Sequence, residues 1–320
     1  MSDFQRNPLP FMNKILVTGG AGFIGSNLTL ELQKRHPHAA ITVLDDFRSG
    51  SYKNLESFHG DVVARNLSNL DWAATFGEPT WDAIFHLACI TDTTCHDQRL
   101  QVHDNVEGFR GLLEFTKVAR IPIVFASSAS VYGVTKAISR ETDSPAPANV
   151  YAFSKVINEN LARSYVRDYP HWKIIGLRYF NVYGPRETHK GVPASMIFHL
   201  ARQMSQSQRP KLFKFGEQER DFIYVKDIVD FTLAAIHAKR SCIVNAGTGT
   251  PRSFNDIVSV LNKLLGTSLE IDYIDNPHTH YQPFTQADTT LLKSEFSIQS
   301  KYTLEDGIKD YFESGWLFQQ

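Results

Sequence analysis

The sequence predicts an α/β fold: a doubly wound parallel sheet carrying a smaller α+β lobe. Three observations carry that prediction. Residues 14–25 run from an apolar, strand-like stretch through a glycine cluster into an amphipathic stretch. Apolar, β-branched runs then alternate with helical patterns through the first half of the chain. From about Phe180 the alternation fades and short strands mix with helices.

The elements follow in order. Ile15, Leu16 and Val17 read as a buried strand. Gly19, Gly22 and Gly25 stand after it at G-x-x-G-x-x-G spacing. Gly19 permits a tight turn, Gly22 lets backbone approach a pyrophosphate, and Gly25 allows close helix packing. Glycines at this spacing also mark ordinary loops. Here a strand precedes them and a helical pattern over 23–34 follows, as in a Rossmann-type dinucleotide turn. Backbone N–H groups and the positive helix end would hold the phosphates. The next strand, 41–44, ends at Asp45, about twenty residues beyond the last glycine, where a carboxylate can accept from ribose hydroxyls. Strands at 61–64, 82–87, 122–126 and 173–177, with helices at 105–119 and 150–169, complete the right-handed crossover units. Residues 13–180 and about 219–247 are expected to form the dinucleotide domain. Residues 181–218 and about 248–320, with strands at 211–215 and 269–274, are expected to form an interleaved substrate lobe. No Pro/Gly/Ser-rich linker parts the two, so a cleft between tightly packed lobes is expected.

Composition narrows the function. The chain has 320 residues, 42% of them hydrophobic and 21% charged, the balance of a soluble globular protein. A net charge of −1 gives no electrostatic footprint for nucleic acid or an anionic membrane. No apolar run is long enough to span a bilayer. The stretch from Met1 to Phe11 has no apolar signal core and reads as a frayed extension. Cys89, Cys95 and Cys242 form no C-x-x-C pair, which suits a reducing cytoplasm. His36/His38 and His278/His280 are ligand-like, but no nearby acid or cysteine completes a set, so no metal is expected.

The chemistry centres on Tyr151-Ala-Phe-Ser-Lys155. Positions four apart share a helix face, so Lys155 can sit beside Tyr151. A neighbouring ammonium favours the phenolate and is expected to lower the tyrosine pKa toward reversible proton transfer with an alcohol. The Y-x-x-x-K pattern occurs three times. Tyr132/Lys136 leaves a strand through Gly133, and Pro170 interrupts Tyr169/Lys173. Only Tyr151 and Lys155 fall within a helical pattern. Ser128 leaves the end of an apolar strand, where α/β sheets place ligands, and its hydroxyl can hold the reacting oxygen.

These residues resemble the extended short-chain dehydrogenase/reductase (NAD-dependent epimerase/dehydratase) family, most of whose members modify nucleotide sugars. The run Arg178-Tyr-Phe-Asn181, then Pro185-Arg-Glu-Thr-His-Lys190-Gly, Arg220-Asp-Phe and Phe284-Thr-Gln-Ala-Asp288 is similar to the branch that epimerises ADP-heptose at C6. The similarity covers roughly residues 13–313. It implies an isomerase in which a bound dinucleotide removes hydride from a carbinol and returns it to the opposite face, with Tyr151 and Lys190 serving the two faces and Ser128 assisting. It places Phe23, Ile24, Asp46, Arg48, Leu87, Ala88, Thr91, Asn105, Lys155 and Val182 at the cofactor, beside the glycines and Asp45. Asn181, His199, Phe213, Arg220 and Tyr281 would contact substrate. Arg220 has the clearest physical reason, because a guanidinium fork suits pyrophosphate. Asp45 alone would favour NAD. Arg48 or Lys53 could meet a 2′-phosphate, and the family precedent leans to NADP. A homo-oligomer is expected.

The sequence departs from the family at Val192-Pro193, where a polar substrate contact is usual. Two other activities compete. A 4,6-dehydratase needs an added acid and base, and Ser128-Ala129-Ser130 offers no carboxylate. A UDP-hexose 4-epimerase needs only Ser, Tyr and Lys and would be indifferent to Lys190. A non-catalytic dinucleotide sensor commonly loses the tyrosine or lysine, and both are present here.

Overall fold

The computed structural model describes residues 12–92, 97–277 and 282–318. The N-terminal stretch, His278, His280, Cys95 and Tyr281 lie outside them. Six strands come first: β1 (Lys14–Thr18), β2 (Ala40–Asp45), β3 (Asp61–Ala64), β4 (Ala83–His86), β5 (Ile123–Ser128) and β6 (Ile174–Tyr179). Helices α1 (Phe23–Arg35), α2 (Trp72–Phe76), α3 (Gln98–Thr116) and α4 (Val150–Asp168) connect them. Beyond these lie β7 (Asn181–Tyr183), α5 (Met196–Ser205), β8 (Lys211–Phe213), β9 (Glu219–Arg220), β10 (Phe222–Tyr224) and α6 (Val225–Ala235). The chain continues with β11 (Cys242–Ala246), β12 (Arg252–Ser253), α7 (Phe254–Leu265), β13 (Asp272–Ile274), α8 (Thr290–Phe296) and α9 (Leu304–Glu313).

The main sheet runs β11-β6-β5-β4-β1-β2-β3, and all its pairings are parallel. This is the doubly wound Rossmann-type order, which reverses direction between β1 and β4 and opens a crevice at the strand C-termini there. Strands covered on both faces should be apolar throughout. Every residue of β4 and β6 is buried, including His86 and Arg178. Each fully buried Ile, Leu or Phe contributes about 1.5–3 kcal/mol through removal from water.

Short pairings stand apart from the sheet: β7 with β10, β9 with β12, and β8 with β13. A second apolar core lies around them, where Ile197 and Leu200 of α5 meet Ile257 and Leu261 of α7 and Ile308 of α9. These helices carry their apolar residues on one face at i, i+3 and i+4 spacing.

Several boundaries differ from those expected. The helix read over 105–119 starts at Gln98, because Asp97 caps it by accepting the Leu100 N–H at 2.8 Å. The strand read over 211–215 stops at Phe213, where the Gly216 N–H turns back to the Phe213 carbonyl at 2.7 Å. The one read over 269–274 contracts to Asp272–Ile274. Helices α2 and α8 have five and seven residues, too short to show periodicity.

Candidate active site

The glycine turn sets the site. Gly19 has φ +71°, and a Cβ there would stand 2.5 Å from the Ala88 nitrogen. A Cβ on Gly25 would stand 2.0 Å from the Gly19 carbonyl oxygen, so a side chain would force α1 off the turn. Gly22 precedes α1 and supplies no side-chain cap, which leaves the first-turn N–H groups for an anion. Asp45 closes the turn from β2: its oxygens accept the Ala21 and Phe47 N–H groups, each at 2.9 Å. Burial raises its pKa against those bonds.

A cleft of about 600 Å³ opens above this turn. Every residue expected at the cofactor lines it: Gly19, Gly22, Phe23, Ile24, Gly25, Asp45, Asp46, Arg48, Leu87, Ala88, Thr91, Asn105, Lys155 and Val182. So do Ser128, Tyr151 and Lys190. Asn105, buried on α3, accepts the Ile90 N–H at 2.7 Å and donates to the Ile90 carbonyl at 3.1 Å, shaping the loop after β4. At the β2 end, Arg48 pairs with Asp104 at 2.6 Å and Asp46 at 3.0 Å.

The Tyr151 wall rests on α4. Asn149 caps this helix through the Ala152 N–H, and the 3.6-residue turn stacks Tyr151, Lys155 and Glu159 on one face. Lys155 is buried, with Nζ 5.7 Å from the Tyr151 ring centre and donating to the Ala126 carbonyl at 2.7 Å. The Tyr151 pKa is raised, contrary to the expectation. Burial dominates, and the Lys155 charge and the Ser128 hydroxyl pull against it without reversing it. Lys155 itself stays above its ordinary value: burial opposes the charge, but Cys89, Tyr151 and Glu159 favour it.

Behind this wall lies a buried polar network. Glu159 accepts Arg178 Nε at 2.8 Å and Nη2 at 2.7 Å, and Ser127 Oγ at 2.7 Å. Arg178 also donates to the Tyr132 hydroxyl at 2.8 Å, which donates on to Asn245 at 2.6 Å. Tyr132 is thereby consumed as structure, and Tyr169 is the C-cap of α4, so the fold selects Tyr151 among the three repeats of the pattern.

The other wall is the loop over 184–195. A single turn of 3-10 helix, Thr188–Lys190, sits within it. The Lys190 ammonium lies 5.4 Å from the Phe23 ring centre, over the start of α1. Burial lowers its pKa, and Glu187 opposes the shift. Asn54 donates both to the Ala21 carbonyl at 3.0 Å and to His189 Nδ1 at 3.1 Å, tying this loop to the glycine turn.

Four residues expected at the substrate do not line the cleft. His199 faces a separate hollow of about 280 Å³ beside Thr188 and Gly191, and its Nε2 donates to the Val192 carbonyl at 3.1 Å. Arg220 is 7% exposed, donates to the Glu219 and Gln282 carbonyls, and lies 5.6 Å from the Phe254 ring centre. Backbone carbonyls thus occupy part of the fork that a pyrophosphate would need. Asn181 accepts the Thr285 hydroxyl at 3.0 Å, and Phe213 ends β8. Tyr281 lies outside the described residues. Asp221 pairs with no neighbouring arginine: its carboxylate accepts the Thr248, Gly249 and Ala287 N–H groups and the Thr248 hydroxyl.

Among the cleft residues that the sequence reading passed over are His86 and Asp104. His86 stacks on Phe109, and burial, followed by Lys155, pulls its pKa down to about 3, so its ring is neutral. Asp104 holds Arg48, and its place one residue before Asn105 on a helix facing the cleft was the available signal. Among the described residues no cluster of three metal-ligating side chains occurs, and no helix is long and apolar enough to cross a membrane.

That arrangement defines a class: an α/β enzyme built around a nicotinamide dinucleotide. The chain belongs to the NAD dependent epimerase/dehydratase family, which it matches over residues 15–247. It is 37% identical to an ADP-L-glycero-D-manno-heptose-6-epimerase of Alkalilimnicola ehrlichii, over 94% of this chain and 97% of that one. The crystal structure of the Helicobacter pylori enzyme of the same name superposes with a TM-score of 0.89 at 38% identity, covering 97% of this chain and 98% of that one. A UDP-glucuronic acid 4-epimerase from Bacillus cereus, solved with UDP-glucuronic acid and NAD, gives 0.83 at 28% identity, covering 95% of this chain and all of that one.

Proposed function

We propose that this chain converts ADP-D-glycero-D-manno-heptose to ADP-L-glycero-D-manno-heptose at C6, supplying heptose for the lipopolysaccharide core. One observation carries the reading beyond the family: Tyr151 and Lys190, two proton-transfer groups on unrelated elements, line one cleft. Where a transient ketone presents its two faces in turn, two proton-transfer groups can each serve the oxygen in one of its orientations. When bound, the nicotinamide accepts the C6 hydride and later returns it. Tyr151 takes or gives the hydroxyl proton on one face, with Ser128 holding the oxygen and the Lys155 charge favouring the phenolate. Lys190 does the same on the other, its lowered pKa making the neutral amine accessible. The first-turn N–H groups of α1 hold the dinucleotide pyrophosphate. Asn181, His199, Phe213 and Arg220 do not line this cleft, and their roles at the sugar nucleotide rest on the family resemblance.

The dinucleotide itself has two readings. Sequence offers Arg48 or Lys53 to a 2′-phosphate, and the family precedent leans to NADP. The pairing of Arg48 with both Asp46 and Asp104 favours NAD, because two carboxylates already share this guanidinium near the end of β2. Mass analysis of the dinucleotide released on denaturation decides between them.

The test of the activity is incubation with each ADP-heptose epimer and separation of the products. Interconversion from either side supports the reading; unchanged C6 configuration sinks it. Undiminished epimerisation by Lys190→Ala would instead favour a hexose 4-epimerase type of site.

A further inference from the structure

Glu187 is a fully buried carboxylate that takes no part in the proton transfers above. It sits three residues before Lys190, and its backbone carbonyl accepts the Lys190 N–H at 3.0 Å. Its side chain reaches both ends of the loop. One oxygen accepts the Gly184 N–H at 3.1 Å and the Ser195 hydroxyl at 2.9 Å; the other accepts the Ser195 N–H at 2.6 Å. Gly184 leaves β7, and Ser195 caps α5 by accepting the Phe198 N–H. One side chain therefore cross-links the start and finish of the segment that carries Lys190.

The loop needs such a link. Gly184 (φ +144°), Arg186 (φ +71°) and Gly191 (φ +60°) all have positive φ, so no regular ladder holds its path. Three donors and no acceptor meet the carboxylate, the pattern that suits its ionised form. The ring of Tyr311 on α9 packs nearby: burial first, then the Glu187 charge, hold its phenol well above its usual pKa.

We propose that Glu187 is the positioning residue for Lys190, clamping the loop so that the ammonium stays over Phe23 and faces the cleft. This rests on the reading of Lys190 as one of the two proton-transfer groups. The clamp acts on one face of the reaction only, which separates it from a general structural role. Each epimer begins by losing its C6 hydride, one with Tyr151 taking the hydroxyl proton and the other with Lys190.

The experiment compares Glu187→Gln, Lys190→Met and the parent as isolated holoenzymes in single turnover with each epimer, following the transient reduced nicotinamide. Glu187→Gln keeps the shape but turns an amide NH₂ toward groups that include two backbone N–H donors, Gly184 and Ser195, which it cannot all satisfy. It is expected to slow reduction by one epimer about tenfold or more, with the other within about twofold and KM little changed. The slowed epimer should be the one that Lys190→Met blocks. Equal slowing with both epimers, or none with either, overturns the clamp. If Lys190→Met leaves both epimers unaffected, the reading of Lys190 fails first, and the clamp with it. Should Glu187→Gln not fold, Ser195→Ala removes one hydroxyl donor and keeps the carboxylate. It is then expected to slow the same epimer about twofold to threefold, and an unchanged rate there overturns the proposal.

Discussion

Glu159 and Glu187 are both fully buried, and the two walls of the cleft hold them in opposite ways. Glu159 meets a guanidinium through two oxygens, and that charge keeps its pKa below the ordinary value although burial pushes it up. Glu187 meets only neutral donors, and burial leaves its pKa raised. The difference tracks the elements they serve. Glu159 and Arg178 join α4 to β6, with Ser127 bringing in β5, so the pair fixes the register of Tyr151 and Lys155 against Ser128. Glu187 joins a loop to itself. Tyr151, one proposed proton-transfer group, stands on a packed helix, and Lys190, the other, on a loop.

The comparison breaks most visibly at Glu159. Glu159→Gln leaves Arg178 buried without its counter-charge and should cost about 3–5 kcal/mol, measured as a fall in the urea midpoint at constant slope. A loss below about 1 kcal/mol would mean that the ion pair does not lock this wall.

Tyr151→Phe tests the same wall chemically. It removes one hydroxyl and keeps the ring, so the turnover number for epimerisation should drop about a hundredfold or more, with little change in unfolding. A near-normal rate would take Tyr151 out of the reaction.

Glu187→Gln should cost less stability than Glu159→Gln, about 1–2 kcal/mol, because it weakens hydrogen bonds from neutral donors and removes a charge that reaches Lys190 only through space. Losses of equal size at the two positions would erase the contrast drawn here.

The smallest effect is in pH. Glu159 has a depressed folded pKa, so its stabilisation is complete above the ordinary carboxylate value of 4.5 and is lost as pH falls through the folded value. Glu187 has the opposite sign: its ionised form is penalised in the folded chain, and that penalty lifts as pH falls through its raised value. Melting temperatures across the acid range should therefore show a shallower acid loss for Glu159→Gln than for the parent, and a slightly steeper one for Glu187→Gln.

Much of the dinucleotide side was legible in the chain. The turn at Gly19, Gly22 and Gly25, the strand before it and Asp45 beyond it obey local rules of periodicity and backbone freedom, which need no knowledge of distant residues. Lys190 was different: a lysine in a loop reads as solvated, and only its resemblance to a known motif marked it. The starts of α3 and β13 and the end of β8 were misjudged; a cap begins α3 and a turn ends β8, and periodicity marks neither.

Sequence alone thus determined the sheet and the glycine turn, because each is written in residues close along the chain. Tertiary structure decided which Y-x-x-x-K reaches the cleft, that Tyr151 lies above rather than below its ordinary pKa, and that backbone carbonyls occupy part of the Arg220 fork. It also decided that Glu159 takes its hydrogen bonds from a guanidinium, while Glu187 takes them from backbone and hydroxyl donors with the Lys190 charge acting only through space. Those outcomes depend on burial and on partners far away in sequence, and neither quantity exists until the chain has folded.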